Sequence, residues 1–192
     1  MALFNPKIIC LALESVRELQ THTARYAASD WASRAADPAL DLQNESQLEQ
    51  EFNRIIVQDV LGYAAPMPGR PGTMRVKQPV PGGTTVDLAL GEFGDEDSLI
   101  LAPFELKGPK VALDRIMPGR QKTPVQQAWD YAMDAPGARW VLVCNMKELR
   151  LYAVGHGRQE YEPFDLKRLG EPNELSRLQL LLHAERLVKR KR

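Results

Sequence analysis

Asp87, Glu105 and Lys107 are the side chains whose types and spacing could hold a divalent cation beside an attacking water. Glu105 and Lys107 end the stretch Leu99 to Lys107, Leu-Ile-Leu-Ala-Pro-Phe-Glu-Leu-Lys, and Asp87 sits in Val86 to Leu90, Val-Asp-Leu-Ala-Leu. Both stretches have the composition of strands, and residues two apart in a strand project from one face. Glu105 and Lys107 therefore point the same way, and Phe104 and Leu106 enter the opposite layer. On the other stretch Asp87 shares its face with Thr85 and Ala89, while Val86, Leu88 and Leu90 turn to the other side. Two carboxylates from neighbouring strands make a hard, oxygen-rich site for Mg²⁺, with Mn²⁺ as a substitute. The backbone carbonyl of Leu106, between Glu105 and Lys107, is a natural third ligand.

Phosphodiester hydrolysis is chemistry that such a set can perform. It needs a nucleophile made from water, neutralisation of charge on the pentacovalent phosphorus and stabilisation of the departing 3′ oxygen. A metal held by Asp87 and Glu105 meets the first two needs, and Lys107 beside the bound water can orient it or lower its pKa. A surface ion pair is the other use of a Glu-x-Lys, since motifs this short recur by chance. The setting favours chemistry: the pair ends an apolar strand, runs into Gly108-Pro109 and follows an aspartate on another predicted strand.

The elements that must position these groups are readable from periodicity. Ile8, Ile9, Leu11, Leu13, Val16, Leu19 and Tyr26 predict a helix over residues 7 to 28, started by Asn5-Pro6. A second helix is predicted after Asn44 or Ser46, with Leu48, Phe52, Ile55, Ile56 and Val60 on its apolar face, Glu51 on the shoulder of that face and a stop at Gly62. Ala64 to Gly72 reads as a loop. Strands are predicted over Met74 to Val80, Thr84 to Leu90 and Ser98 to Lys107, as an antiparallel meander with turns at Pro81-Gly82-Gly83 and Gly91 to Asp97. Thr123-Pro124 signals a helix that runs to about Ala135. Strands at Trp140 to Cys144, Leu149 to Val154 and near Tyr161 to Phe164 follow, and a helical tail begins at Glu174. This order predicts an α/β (α+β) chain, a central mixed β-sheet flanked by helices.

Composition bounds the function classes. With 192 residues, 44% apolar and 26% charged, the chain suits one substantial core. Lys+Arg and Asp+Glu are both 25, so nucleic-acid binding must come from local patches. Cys10 and Cys144 lie in apolar surroundings outside any Cys-x-x-Cys pattern, as buried reduced thiols of a cytoplasmic protein would. No apolar run approaches the roughly 18 residues of a membrane span. His22, His156 and His183 lack metal-ligand spacing, and Gly155-His156-Gly157 reads as a turn.

Five blocks, in this order, resemble the PD-(D/E)xK nucleases, and more closely the amino-terminal nuclease domain of type IIG restriction-modification enzymes. They are Glu51-Phe52 with Leu61-Gly62-Tyr63; Val86-Asp87; Phe104-Glu105-Leu106-Lys107-Gly108-Pro109; Thr123 to Tyr131; and Asn145 with Leu149-Arg150-Leu151-Tyr152. The valine before Asp87 departs from the motif's proline, at a position that varies in such nucleases. The resemblance implies a restriction-endonuclease-like fold and a Mg²⁺-dependent endodeoxyribonuclease acting on double-stranded DNA. It makes Gln127 and Tyr131 a Gln-x-x-x-Tyr motif, Gln127 catalytic and Tyr131 on DNA, with Gln126 the alternative amide. It also makes Glu51 a further metal ligand.

In that family, methyltransferase and target-recognition domains supply sequence choice. This chain has no glycine-rich cofactor loop and no Asn-Pro-Pro-Tyr-type motif, so no S-adenosylmethionine site is expected. Residues 1–170 are then the nuclease domain, and residues 171–192 a helix that starts a connector. One active centre per chain implies transient dimerisation for double-strand cleavage. Arg70, Arg75 and Lys77 are candidate contacts to the DNA backbone, as is the Lys-Arg-Lys-Arg end, although surface charge explains them as well. Two further readings are a noncatalytic DNA-binding or assembly module, and the nuclease domain of a type I restriction subunit.

Overall fold

Asn5 and Pro6 begin the first helix, α1 (Pro6–Ala12): the Asn5 side chain accepts a 2.9 Å hydrogen bond from Lys7 N, and Pro6 takes a position that needs no N–H. The computed structural model describes residues 3–95 and 97–188. The single helix expected over residues 7 to 28 is broken. The chain tightens into a 3₁₀ segment, Leu13–Leu19, and Thr21 then caps a new helix, α2 (His22–Ala36), by accepting from Ala24 N at 3.1 Å. A threonine hydroxyl that satisfies a backbone donor competes with continuation of the preceding helix, which periodicity alone does not register. A short 3₁₀ turn, Pro38–Leu42, precedes α3 (Glu45–Phe52), whose N-cap is Asn44, the first of the two starts that the sequence allows. Helix α3 continues into a π-helical segment, Asn53–Val60, closed by Leu61 N on Ile56 O at 3.0 Å; Gly62, at φ +72°, ends it.

The sheet has six strands: β1 (Gly72–Pro79), β2 (Thr85–Phe93), β3 (Ser98–Leu106), β4 (Trp140–Cys144), β5 (Glu148–Ala153) and β6 (Glu162–Asp165). Their spatial order is their chain order. All neighbours are antiparallel except β3 and β4, which run parallel. A parallel pair requires a long crossover, and α4 (Pro124–Asp134) lies within it. Thr123 and Gln126 form a capping box at its start, where the sequence places it.

The two sheet faces are covered differently. Leu88, Leu90, Ala102, Phe104, Leu106, Leu142, Cys144, Leu149 and Leu151 pack with α2, α3 and the π segment in the main core. Trp31 meets Phe52 edge-on at 5.3 Å and Phe52 meets Phe104 at 6.0 Å, contacts worth about 1 kcal/mol each beyond their burial. The opposite face packs on α4 through Val141, Val143 and Tyr152 in one cluster and Ala89, Phe93 and Ile100 in another. Val86 joins Ala89 in that second cluster, against the strict alternation that would group it with Leu88 and Leu90.

Helix α5 (Pro172–Leu182), expected to lead out of the domain, packs into it. Leu175, Leu178 and Leu182 are in the main core, and buried Gln179 donates to Leu19 O at 3.1 Å and Val60 O at 3.0 Å. A last short helix, α6 (Ala184–Leu187), follows. The Lys-Arg-Lys-Arg end lies outside the described residues. Cys144 is buried as expected, but Cys10 is exposed because α1 buries none of its residues. Among the described residues no helix is long and apolar enough to cross a membrane.

Candidate active site

The site forms where β2 and β3 part. Their antiparallel ladder ends at Leu88↔Phe104; beyond it, β2 pairs only with β1, through Gln78↔Val86 and Pro79↔Thr85. Over the same stretch β3 pairs with β4, through Phe104↔Leu142 to Leu106↔Cys144, and Lys107 N extends this pairing to Cys144 O at 2.8 Å. The fork leaves the Leu106 amide without a partner on β2's backbone. Asp87 supplies one: its Oδ2 accepts from Leu106 N at 3.0 Å.

Glu105 and Lys107 share a face as their spacing requires. Glu105 is fully buried, and its carboxylate forms an ion pair with the Lys107 ammonium, yet neither carboxylate oxygen has a well-formed hydrogen bond. The same ammonium lies 3.2 Å from Leu106 O and 3.8 Å from Asp87 Oδ2. The three oxygen donors expected to hold a cation thus surround one cationic atom, Lys107 Nζ. Burial, followed by the nearby Asp87 charge, pushes the Glu105 pKa up to about 7. Burial alone would lower Lys107, but the Glu105 and Asp87 charges outweigh it and hold the ammonium above its ordinary range.

A cavity of about 330 Å³ opens beside these groups, lined by residues that include Glu45, Glu49, Asp87, Lys107, Arg120 and Gln127. Gln127 and Tyr131 meet as i, i+4 partners on α4, with Gln127 Nε2 donating to Tyr131 Oη at 2.5 Å. Gln126 is taken by the capping box, its Oε1 accepting from Thr123 N at 2.9 Å, which leaves Gln127 as the amide at the cavity. The segment that walls the cavity between β3 and α4 is pinned by Asn145 Nδ2 on Val111 O at 2.9 Å and by buried Leu113. Asn145 and Arg150 serve as anchors here, since Arg150 also binds Asp114 at 2.9 Å.

Other expected site residues lie elsewhere. Glu51 is not at the cavity: it is ion-paired with Arg34 and accepts from Gln47 Nε2 at 3.1 Å, and the Arg34 bond holds its pKa below the usual carboxylate range. Arg75 lies against the Phe93 ring, 5.2 Å from its centroid, and reaches Ser98 Oγ and Gly94 O. Arg70 closes a tight turn with Met67 and does not line the cavity. Lys77 does reach the site, where it contacts Asp87 Oδ1 at 2.7 Å and Glu49 Oε2 at 3.3 Å.

Glu45, Glu49, Arg120 and Lys122 line the cavity without having been singled out by sequence reasoning. Glu45 Oε1 accepts from Gly108 N at 2.7 Å, which ties the first turn of α3 to the end of the Glu-x-Lys strand. The i, i+4 spacing of Glu45 and Glu49 after the Asn44 cap is the signal that places them on one side of α3, whereas Glu51 falls on another. The cavity lining is therefore mixed in charge, with carboxylates from α3 and β2 and the basic side chains of Lys107, Arg120 and Lys122.

Among the described residues no three His, Cys, Asp or Glu side chains come together as a metal-holding group. The donor set that suits a cation is instead two carboxylates and a carbonyl oxygen. That is enough for Mg²⁺, which commonly keeps several waters and takes substrate oxygens as its remaining ligands. Comparison of the chain with protein-family models, curated proteins and solved structures finds no match.

Proposed function

We propose that this chain is the cleavage domain of a Mg²⁺-dependent DNA endonuclease with a restriction-endonuclease-like fold. The observation that carries this reading is the meeting of Asp87 Oδ2, Glu105 Oε1 and Leu106 O around Lys107 Nζ at the edge of a cavity. Oxygens so arranged around one positive atom also suit a divalent ion, which when bound would supply charge neutralisation and an activated water. Asp87, Glu105 and the Leu106 carbonyl are the groups that would hold it.

The chain's own residues divide the remaining work. Lys107, held charged, orients the attacking water and stabilises hydroxide character as it develops; it does not act as the proton acceptor. The water oxygen bonds to phosphorus as its proton passes to bulk water, the bond to the 3′ oxygen breaks with its electron pair on that oxygen, a solvent proton caps that oxygen, and the products are a 5′ phosphate and a 3′ hydroxyl. Gln127, with its amide aligned by Tyr131, is placed to contact the attacked phosphate or the water. Arg120 and Lys122, which also line the cavity, contact the phosphate backbone.

Sequence choice is assigned to methyltransferase and target-recognition domains of a longer protein, and cutting of both strands to transient pairing of two cleavage domains on DNA. Free thiols at Cys10 and Cys144 suit the reducing cytoplasm.

Plasmid cleavage in Mg²⁺ tests the proposal. The wild-type chain should nick or linearise supercoiled DNA, and Asp87→Ala, Glu105→Ala and Lys107→Ala should each abolish this. Wild-type cleavage by the Glu105 and Lys107 variants would sink the mechanism. One observation favours a second reading, a noncatalytic DNA-binding module: ammonium groups already contact both Asp87 oxygens. DNA affinity that is equal with and without Mg²⁺, together with no hydrolysis by the intact protein, would establish it.

A further inference from the structure

We infer that Lys77 is a positioning residue that holds the Asp87 carboxylate in its working orientation, an inference that rests on the nuclease reading. The first sign is its backbone. Lys77 has φ +48°, in the left-handed region, although it lies within β1 and its neighbours keep ordinary ladder pairs, Val76↔Leu88 and Gln78↔Val86. A Cβ crowds the backbone in this conformation, so a residue other than glycine adopts it only where its surroundings impose it. Packing does not impose it here, because the Lys77 side chain is 58% exposed.

What the conformation achieves is aim. Lys77 stands opposite Asp87 across the β1–β2 ladder, and its ammonium reaches Asp87 Oδ1 at 2.7 Å and Glu49 Oε2 at 3.3 Å. The other Asp87 oxygen is already fixed by Leu106 N at 3.0 Å. With both oxygens engaged, Asp87 is confined to one rotamer at the fork between β2 and β3. Glu49 extends the hold to α3, the helix whose first turn binds Gly108 through Glu45.

The charges support the same assignment. Glu49, Asp87 and Glu105 bring three carboxylates to one region, with the Lys77 and Lys107 ammonium groups between them. Without Lys77, Asp87 and Glu49 would face each other unscreened, and Asp87 would turn toward solvent. An exposed ion pair contributes little to folding, so stability alone does not account for the strained backbone at this position. Retention of strain beside a working carboxylate does.

The test compares Lys77→Gly, Lys77→Met and Lys77→Arg for urea midpoints and for plasmid cleavage at saturating Mg²⁺, and measures midpoints again with Asp87→Asn present. Lys77→Gly accommodates the left-handed backbone, so its midpoint should equal or exceed that of wild type. Lys77→Met should lose at least tenfold in kcat with KM for DNA changed by less than twofold, and Lys77→Arg should recover to within threefold of wild type. The midpoint shift of Lys77→Met should be clearly smaller in the Asp87→Asn background, where only the contact with Glu49 is left to lose. An unchanged kcat in Lys77→Met overturns the inference and leaves the nuclease reading intact, as does a rise in KM alone, the mark of a DNA contact. If wild type is folded but inert, the nuclease reading fails. The midpoint comparison then still decides whether Lys77 holds Asp87, and a shift undiminished by Asp87→Asn says it does not.

Discussion

The Leu106 amide donates a 3.0 Å hydrogen bond to Asp87 Oδ2 across the gap where β2 has parted from β3. A side chain thus replaces the ladder bond that a continuing strand would have made, which satisfies a backbone donor that would otherwise lack a partner on β2. It also sets the distance between two strands that carry separate parts of the site. Asp87 is therefore a structural bridge as well as a proposed ligand, and the two roles can be separated by substitution.

Asp87→Ala removes the acceptor, and a stranded amide of this kind costs about 1–3 kcal/mol. Asp87→Asn keeps a carbonyl oxygen for Leu106 N while losing the charge. Urea denaturation should show the asparagine variant clearly more stable than the alanine variant, with cleavage absent in both. Equal midpoints would contradict the bridging role.

Glu105 makes metal-free stability depend on pH. Its folded pKa, about 7, lies above its ordinary value of 4.5, so between these values the native state binds more protons than the unfolded state. Stability must then fall as pH rises from 4.5 to 7, with the penalty fully present above 7 and absent below 4.5. The shift corresponds to at most about 3 kcal/mol. Glu105→Gln should flatten this fall in urea titrations performed in EDTA across pH 5 to 8. A slope identical to that of wild type would show that Glu105 carries no raised pKa.

The basic residues Arg120 and Lys122 at the cavity predict the salt dependence of DNA binding. Arg120→Ala should weaken binding to unrelated duplexes about equally and lower the slope of log K against log salt by about 1. Lys122→Ala should lower it by less, because Asp130 already holds that ammonium at 2.6 Å. Fluorescence anisotropy in EDTA measures both slopes, and an unchanged slope for Arg120→Ala would remove this residue from the interface.

Glu51 and Glu49 should respond in opposite ways. Glu51→Gln breaks the pair with Arg34 away from the cavity and should leave the Mg²⁺ dependence of cleavage unchanged. Glu49→Gln removes a carboxylate that lines the cavity and contacts Lys77, and should change that dependence. A Mg²⁺ titration of each variant decides between them, and an effect confined to Glu51→Gln would reverse the assignment.

What the sequence determined by itself is local. Alternation placed Glu105 and Lys107 on one face, Thr123-Pro124 fixed the start of α4, and the four-residue spacing of Gln127 and Tyr131 brought them together, because each of these depends on strand or helix periodicity alone. The three-stranded meander was legible for the same reason, and the stop at Gly62 because glycine takes the left-handed backbone that ends a helix without steric cost. The break at Thr21 was not, since it depends on a side chain outbidding a helix it could equally have joined. Tertiary structure decided which glutamates of one helix reach the cavity: Glu45 and Glu49 do and Glu51 does not, because α3 is oriented by what Leu48 and Phe52 bury against the sheet. It also decided that the exposed Lys77 side chain ends on Asp87, which required a left-handed residue within a strand and a partner on the next one. The meeting of Asp87, Glu105 and the Leu106 carbonyl belongs to both. Residue types and spacing nominated the three groups, but only the parting of β2 from β3 left a gap for the Asp87 side chain to cross.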